Sequence, residues 1–495
     1  MSLSQILNLK EFFLKNKSIR QTVSKNAFWL TIGQVGSRLF RALIIIYAAR
    51  ILGVGEYGIF SYVLGLAGFF TLFADVGVNS ILTRDITKHP DKADNYFATA
   101  FWIKIFLLLV SSILVIFVAP YFSKIEGAKI LIPLVALLNF FDGIREFSSA
   151  YFRAKERMEL EAFTITLTNI AITVFGIIVL SFQTNAKALV ITYILSAGTG
   201  TIASIALLKK QFSKVIKFFK SDLIKEIISS AWPIALLSII GIFMTNIDVI
   251  MLGFFKTGQE VGLYSSGQRI IQILYTLPAI ISTSFFPVIS RFVGQKDNIK
   301  TRLLIEKGLT VVFLIGMPLI IGGIILGENI INLLYGSEYL PATLSFQILI
   351  LNIIFVFPSY FIGSYIFAYN EQKRIAPYLI IGSLVNVALN ALLIPFYGIA
   401  GAAIATLCAQ AIYQSLLIRL AKKVNNFQII TYLKKIVLAS IIMGGLVYCI
   451  NLAGLNVILN IIISGIAYFV ILYLIKENIV REITNAILNK ISLKH

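Results

Sequence analysis

Long apolar runs dominate the chain, and short polar turns separate them. A helix that crosses the hydrocarbon core of a bilayer needs about 20 mostly apolar residues. Fourteen such runs occur, and we take each as a predicted membrane span. Their bounds are 26–50, 58–82, 97–119, 130–152, 160–183, 186–208, 230–254, 263–290, 303–326, 342–368, 376–397, 399–420, 433–452 and 455–475. The pattern therefore predicts an all-α membrane protein with about 14 transmembrane helices.

Composition agrees with a protein whose outer surface faces lipid. Of the 495 residues, 58% are hydrophobic and 13% are charged, whereas soluble domains carry about 25% charged residues. Cys408 and Cys449 lie in apolar runs, far from His89 and His495. No metal site or other cofactor is expected from these residues.

The positions of the basic residues predict the orientation. If the N-terminus is cytoplasmic, most of the 43 lysines and arginines fall in cytoplasmic segments, including six lysines between residues 209 and 225. Only five fall in outer loops: Arg50, Lys124, Lys129, Lys187 and Lys256. This bias predicts that both termini are cytoplasmic. Because the charge is spread over every cytoplasmic turn, the net charge of +20 does not indicate nucleic-acid binding.

Two halves of the chain repeat weak sequence features in the same order. The pentapeptide 57–61 resembles 261–265, and Lys104 in span three corresponds to Lys307 in span nine. Spans 1–6 and 7–12 are therefore predicted to be two parallel copies of one six-helix lobe, with a substrate site at their interface.

The predicted organisation follows from this repeat. Before the first lobe lies a cytoplasmic N-terminal segment, which is either an amphipathic helix on the inner leaflet or a disordered basic tail. The full set of predicted regions is 1–25 (N-terminal segment), 26–208 (N-lobe), 209–229 (basic linker), 230–420 (C-lobe), 433–475 (spans 13 and 14) and 476–495 (cytoplasmic tail).

Two arginines in the first predicted span are the leading candidates for a binding site. Arg38 lies about ten residues into the span, which is roughly 15 Å of helix, and Arg41 shares its face. A charge at the centre of a membrane helix costs about 2.5–3.5 kcal/mol on insertion scales. The pair either clamps a phosphate, which the guanidinium fork binds bidentately, or forms structural ion pairs with acids on other helices.

Two further sets combine acids with arginine. Arg269 in span eight and Asp248 in span seven are candidates for a head-group contact, for a mutual ion pair or for a gate. Asp142, Arg145 and Glu146 lie at positions i, i+3 and i+4 of span four and are interpreted as nearly self-neutralising.

Three other charged residues are candidates for gating or ion coupling: Asp75, Lys104 and Lys307. Each also has a structural interpretation. The two lysines are close enough to the cytoplasmic side to snorkel to the interface. Asp75, near the cytoplasmic end of span two, is interpreted first as a packing or capping residue.

The N-terminal half resembles a known family. The segments Ala49-Arg50-Ile51-Leu52-Gly53, Glu56-Tyr57-Gly58, Phe73-Ala74-Asp75-Val76-Gly77 and Arg84-Asp85 are similar to those of the polysaccharide flippases. These flippases belong to the multidrug/oligosaccharidyl-lipid/polysaccharide exporter superfamily. The resemblance is most specific over residues 26–90, and it covers spans 1–12 in layout.

The resemblance implies a function. Two six-helix lobes would surround a central cavity, and the substrate would be a polyprenyl-pyrophosphate-linked oligosaccharide moved outward across the cell membrane during O-antigen or capsule synthesis. Relatives that carry peptidoglycan precursors place cavity arginines in spans one and eight, where this chain has Arg38, Arg41 and Arg269. Membrane lipids, and other polysaccharide-assembly proteins, are the expected partners.

Three alternatives stay open. A flippase for lipid II, the peptidoglycan precursor, is the nearest. A drug/cation antiporter of the same superfamily would need an acidic cavity, which the excess of basic residues in spans 1, 3, 8 and 9 disfavours. A membrane glycan polymerase or ligase is disfavoured because the longest outer loop, 327–341, contains no histidine, arginine or lysine. No Walker A loop is encoded, so no ATP-driven motor is expected.

Overall fold

The computed structural model describes residues 19–428, 430–482 and 484–485, and all regular structure among them is helical. The fold class predicted from the apolar runs is therefore confirmed. Most of the predicted N-terminal segment, including Leu3, Ile6 and Phe13, lies outside the described residues, as does most of the predicted tail.

The helices are numbered α1 to α17 along the chain. The first eight are α1 (Ile19–Phe70), α2 (Val78–Lys88), α3 (Ala93–Ile113), α4 (Glu126–Ala154), α5 (Met158–Phe182), α6 (Ala186–Leu207), α7 (Lys209–Phe212) and α8 (Asp222–Phe255). The others are α9 (Gly258–Leu274), α10 (Thr276–Gly294), α11 (Asn298–Ile325), α12 (Gly327–Tyr335), α13 (Thr343–Ile350), α14 (Ile353–Ala368), α15 (Ile375–Val424), α16 (Ile430–Leu452) and α17 (Val457–Leu474).

Length and composition identify a multi-pass membrane protein. Ten helical stretches among the described residues are long and apolar enough to cross a bilayer. An eleventh is added if Ser337–Ile350 and Ile353–Ala368, which meet at 44°, form one bent span. The count of fourteen stays a prediction.

Two long helices contain an internal kink at a glycine. Gly53 in α1 has φ 70 and ψ 175, and Gly398 in α15 has φ 52 and ψ −130. Both conformations lie in the region of positive φ that only glycine adopts without strain. The predicted boundaries between spans 1 and 2 and between spans 11 and 12 fall at these glycines, so the turns are sharp kinks rather than loops.

The predicted second span, 58–82, is wrong at its end. Helical structure stops at Phe73, and α2 starts only at Val78. Gly77 is left-handed, with φ 85, and the Asp75 carboxylate accepts the backbone N–H of Asn79 at 3.4 Å. A left-handed glycine and a side chain that satisfies a free N–H are the usual devices for interrupting and restarting a helix.

The chain divides into two compact units, Met1–Gly262 and Leu263–His495. By packing, α8 belongs with the first unit, where it contacts α1, α2 and α3. The lobe boundaries predicted from the repeat, with a linker at 209–229, stay a prediction.

Hydrogen bonds from side chains to backbone carbonyls fasten the helices of the first unit to one another. They are Ser111 Oγ to Phe70 O (2.8 Å), Asn139 Nδ2 to Ala67 O (3.1 Å), Thr173 Oγ1 to Phe40 O (3.2 Å) and Thr201 Oγ1 to Phe141 O (2.7 Å). Membrane helices commonly use such small polar residues as contacts, because burying apolar surface between helices gains little free energy when the surroundings are lipid.

The second unit relies on glycines where α11 meets α13 and α14. A Cβ on Gly308 would lie 1.9 Å from the ring of Phe361, and one on Gly323 would lie 2.0 Å from Ile350. The C-terminal pair α16 and α17 packs on α11 as well, where the Tyr468 hydroxyl donates to Leu314 O at 2.9 Å.

We expect Gly308→Ala to destabilise the protein. The added methyl overlaps the buried Phe361 ring, and such overpacking costs about 1–3 kcal/mol. The melting temperature of the detergent-solubilised protein should therefore fall.

Gly322→Ala is the matched control on the same helix, because nothing lies within 4 Å of the position that its new Cβ would take. It should be neutral or stabilising, since alanine favours a helix over glycine by about 0.5–1 kcal/mol. Equal melting temperatures for the two variants would contradict the packing account.

Candidate functional site

Arg38 and Arg41 lie on α1, in a stretch of this helix that packs on α5. The packing uses other residues of α1. Gly33 meets Ala162, where a Cβ would come within 2.9 Å, and Ile44 meets Gly176. Both arginines lie outside this contacting set and are exposed. Among the described residues, neither forms an ion pair or a side-chain hydrogen bond. The two guanidinium groups are thus available to an external anion.

The Asp75–Lys104 ion pair lies at the break between Phe73 and α2. Lys104 Nζ is 3.7 Å from Asp75 Oδ2, and the lysine side chain is only 2% exposed. The prediction that Lys104 snorkels to the interface is therefore wrong. Asp75 lies just beyond the end of the helical structure at Phe73 and accepts the backbone N–H of Asn79, which agrees with its interpretation as a capping residue.

Asp142, Arg145 and Glu146 on α4 lie close to this pair. Arg145 donates from Nε and Nη2 to Asp142 Oδ1, at 3.2 and 2.9 Å, as the spacing predicted. Glu146 lies within electrostatic range of the other four charged groups: Asp75, Lys104, Asp142 and Arg145.

These five residues form one mixed cluster in the first unit, with three acids and two bases. Its members come from the break after Phe73, from α3 and from α4. Sequence reasoning treated them as separate sets because spacing within one helix gives no information on pairing between helices.

Two further predicted candidates, Arg269 and Asp248, lie on α9 and α8. Arg269, on α9, is half-buried and donates from Nη1 to Gln272 Oε1 at 3.0 Å. Asp248, on α8, is buried. That Arg38, Arg41 and Arg269 line one cavity stays a prediction.

Lys307 differs from its sequence counterpart Lys104. Its side chain is 48% exposed and forms an ion pair with Glu482, beyond the last span. The neighbouring Glu306 accepts a bond from Arg302 Nε at 2.9 Å and from the backbone N–H of Gln428 at 2.7 Å. The corresponding positions of the two halves thus hold different interactions.

Two of the motif segments have structural roles. Glu56, just after the Gly53 kink, accepts the backbone N–H of Ala186 at 2.7 Å and so caps the start of α6. Arg84 pairs with the adjacent Asp85 through two bonds of 2.6 and 3.1 Å.

No group of three histidine, cysteine, aspartate or glutamate side chains that could hold a metal ion occurs in the part of the chain that the structure describes.

Comparison with solved structures identifies the fold. The lipid II flippase MurJ in an inward closed conformation is similar with a TM-score of 0.74, at 18% identity, covering 91% of this chain and 99% of that one. An inward-facing multidrug resistance MATE family transporter has a TM-score of 0.62 at 14% identity, covering 84% and 99%. The chain has the fold that these transporters share.

Several sequence relatives carry names from polysaccharide biosynthesis or O-antigen transport. The capsular polysaccharide biosynthesis protein CapF of Staphylococcus aureus is 24% identical over 398 residues, which are 78% of this chain and 96% of that protein. A putative O-antigen transporter of Shigella dysenteriae is 20% identical over 415 residues, covering 81% and 100%.

Family models match both parts of the chain. The MatE model matches residues 233–392. The model described as polysaccharide biosynthesis protein matches residues 23–293, more than half of the chain. The resemblance inferred from the motifs is thereby confirmed. The chain belongs to the polysaccharide biosynthesis protein family of membrane transporters.

Proposed function

We propose that this protein carries a polyprenyl-pyrophosphate-linked oligosaccharide from the cytoplasmic to the outer leaflet of the cell membrane during synthesis of a surface polysaccharide. The observation that supports this most is the pair of exposed arginines, Arg38 and Arg41, on a helix of a protein with a flippase fold. The names of its relatives, a capsule protein and a putative O-antigen transporter, point to the same class of substrate.

The physical problem for such a substrate is its head group. A pyrophosphate and several sugars must pass about 30 Å of hydrocarbon, while the polyprenyl tail stays within it. Guanidinium groups offer paired, charge-assisted hydrogen bonds to phosphate oxygens. Arg38, Arg41 and Arg269 are proposed to supply them.

The same proposal covers the mechanism. Two lobes alternate in access around the cationic site, and Asp75, Lys104, Asp248 and Lys307 act in gating or coupling. Both termini are cytoplasmic, and the protein transports rather than catalyses. Other proteins of polysaccharide assembly are its proposed neighbours.

A lipid II flippase is the second candidate, because the MurJ structure is similar over 91% of this chain. Depletion in the native host separates the two functions. Loss of one surface glycan with normal growth supports the proposed function, whereas lysis supports a peptidoglycan role.

We expect Arg38→Ala to reduce flipping at least tenfold without reducing expression. A hydrogen bond to a charged group contributes about 1.5–3 kcal/mol, which corresponds to roughly a 10–100-fold change. Arg38→Lys should recover part of the activity, since a point charge replaces the fork. The measurement is complementation of a flippase-deficient strain, with polymer quantified on the cell surface.

Leu39→Ala is the control for this experiment, because Leu39 is an exposed apolar neighbour on the same helix. It should leave activity unchanged. Full complementation by the Arg38→Ala variant would exclude Arg38 from head-group binding.

The Asp75–Lys104 pair permits a test of gating against structure. Asp75→Asn removes the ion-pair partner of the buried Lys104, and breaking such a pair by removing one member is destabilising, so folded yield should fall. Adding Lys104→Met, of similar volume, should restore the yield but not transport. Recovery of transport in the double variant would show that the pair serves only stability.

A further inference from the structure

The segment between α6 and α8 is held along one face of α3. Thr99 follows Asn95 by four residues, and Trp102 follows Thr99 by three, so the three side chains share that face. The bonds run from Asn95 Nδ2 to Phe218 O (3.1 Å), from Thr99 Oγ1 to Lys220 O (3.2 Å), from Lys220 N to Thr99 Oγ1 (3.1 Å) and from Trp102 Nε1 to Val215 O (3.2 Å). We call residues 208–221 the strap.

The inner side of the strap is packed. The Phe212 ring meets the rings of Phe97 and Phe101, each with a centroid separation of 5.4 Å. Lys214 Nζ forms an ion pair with Asp94 at 2.5 Å. Because backbone and inner side chains are both fixed, the outward side chains have a defined direction.

The outward side of the strap combines basic with apolar side chains. Its exposed basic and apolar residues are Lys209, Lys210, Ile216, Lys217, Phe219 and Lys220. Ile216 is 80% exposed, and none of these four lysines forms an ion pair with a described residue. Lysine beside exposed Ile and Phe is the composition of segments that lie in the lipid headgroup region.

The position of the strap along α3 supports that interpretation. An exposed apolar stripe runs along α3 and its continuation at intervals of three or four residues: Trp102, Phe106, Leu109, Ile113 and Phe117. A stripe of this kind faces lipid. Trp102, which donates a hydrogen bond to the strap, is the first residue of this stripe. Tryptophan is enriched where hydrocarbon meets the lipid headgroups. The strap therefore lies at headgroup level.

We propose that the outward side of the strap binds anionic phospholipid headgroups in the leaflet next to Trp102. The lysine ammonium groups contact the phosphates, and Ile216 and Phe219 enter the region below them. Clustered lysines at a membrane surface attract anionic lipids. This site is separate from the head-group arginines and does not depend on the proposed transport function.

The test is fluorescence quenching on the full chain. In a Cys408→Ser, Cys449→Ser background, since both native cysteines are exposed, Ile216→Cys carries the fluorophore. The protein is placed in vesicles of phosphatidylcholine and phosphatidylglycerol, with a spin label near the glycerol on one lipid or the other at equal fraction. Labelled phosphatidylglycerol should quench at least about twofold more, because lysines enrich it locally.

Replacing the four lysines together (Lys209→Gln, Lys210→Gln, Lys217→Gln and Lys220→Gln) should bring that ratio to unity, and so should high salt, which screens exposed charges. Phe396→Cys is the matched control. Phe396 is 82% exposed, and no charged residue occurs from 375 to 418, so both lipids should quench there equally.

Three outcomes would overturn the proposal: no quenching at position 216, equal quenching by the two lipids, or an unchanged ratio after the lysines are replaced. Gel filtration checks that the variant folds, which we expect because the replaced side chains are exposed. The vesicles contain no lipid-linked saccharide, so the result is independent of the transport assays.

Discussion

An ionised side chain in hydrocarbon is stable only if it has a partner or reaches water, because transfer without either costs several kcal/mol. The first unit uses both solutions. Lys104 and Arg145 are paired with acids, whereas Arg38 and Arg41 are exposed and have no acidic partner among the described residues. The Lys104–Asp75 pair joins α3 to the break after Phe73, the Arg145–Asp142 pair lies within α4, and the exposed arginines are the ones that we propose to meet a ligand.

Close helix packing makes the pairing geometry possible. Gly200 on α6 approaches Arg145 so closely that a Cβ would lie 3.0 Å from its Cδ, and Gly143 admits Leu108 of α3. The break at Gly77 places Asp75 opposite Lys104 instead of within a continuous helix. Small residues and one interruption therefore fix where the charges meet.

Apolar periodicity predicts most of this fold, and its failures have physical causes. Hydropathy gives the helical class and the boundaries at Gly53 and Gly398 because both depend on local sequence. It misses the break at residues 74–77, since apolar residues continue past Asp75 while the interruption depends on backbone conformation and one capping side chain. Mean hydropathy over a window of residues does not detect a backbone conformation or a single capping side chain.

The candidate site was only partly predictable for a related reason. A charged residue within an apolar run is visible in the sequence, so Arg38 and Lys104 were found. Which acid pairs with each base depends on contacts between helices, which the sequence does not show. Lys104 is paired with Asp75, whereas Lys307 is paired with Glu482. The repeat predicts equivalent positions but not equivalent partners.

The last two helices are outside the sequence repeat, yet they complete the packing of α11. Tyr468 of α17 bonds to the carbonyl of Leu314, and Asn460 of the same helix bonds to Val447 of α16 at 3.0 Å. A shortened chain ending before residue 430 would leave Phe313 and its neighbours on α11 facing lipid instead of these helices. Because hydrocarbon tails can cover an apolar helix surface, α16 and α17 contribute to α11 mainly through close packing and the Tyr468 hydrogen bond.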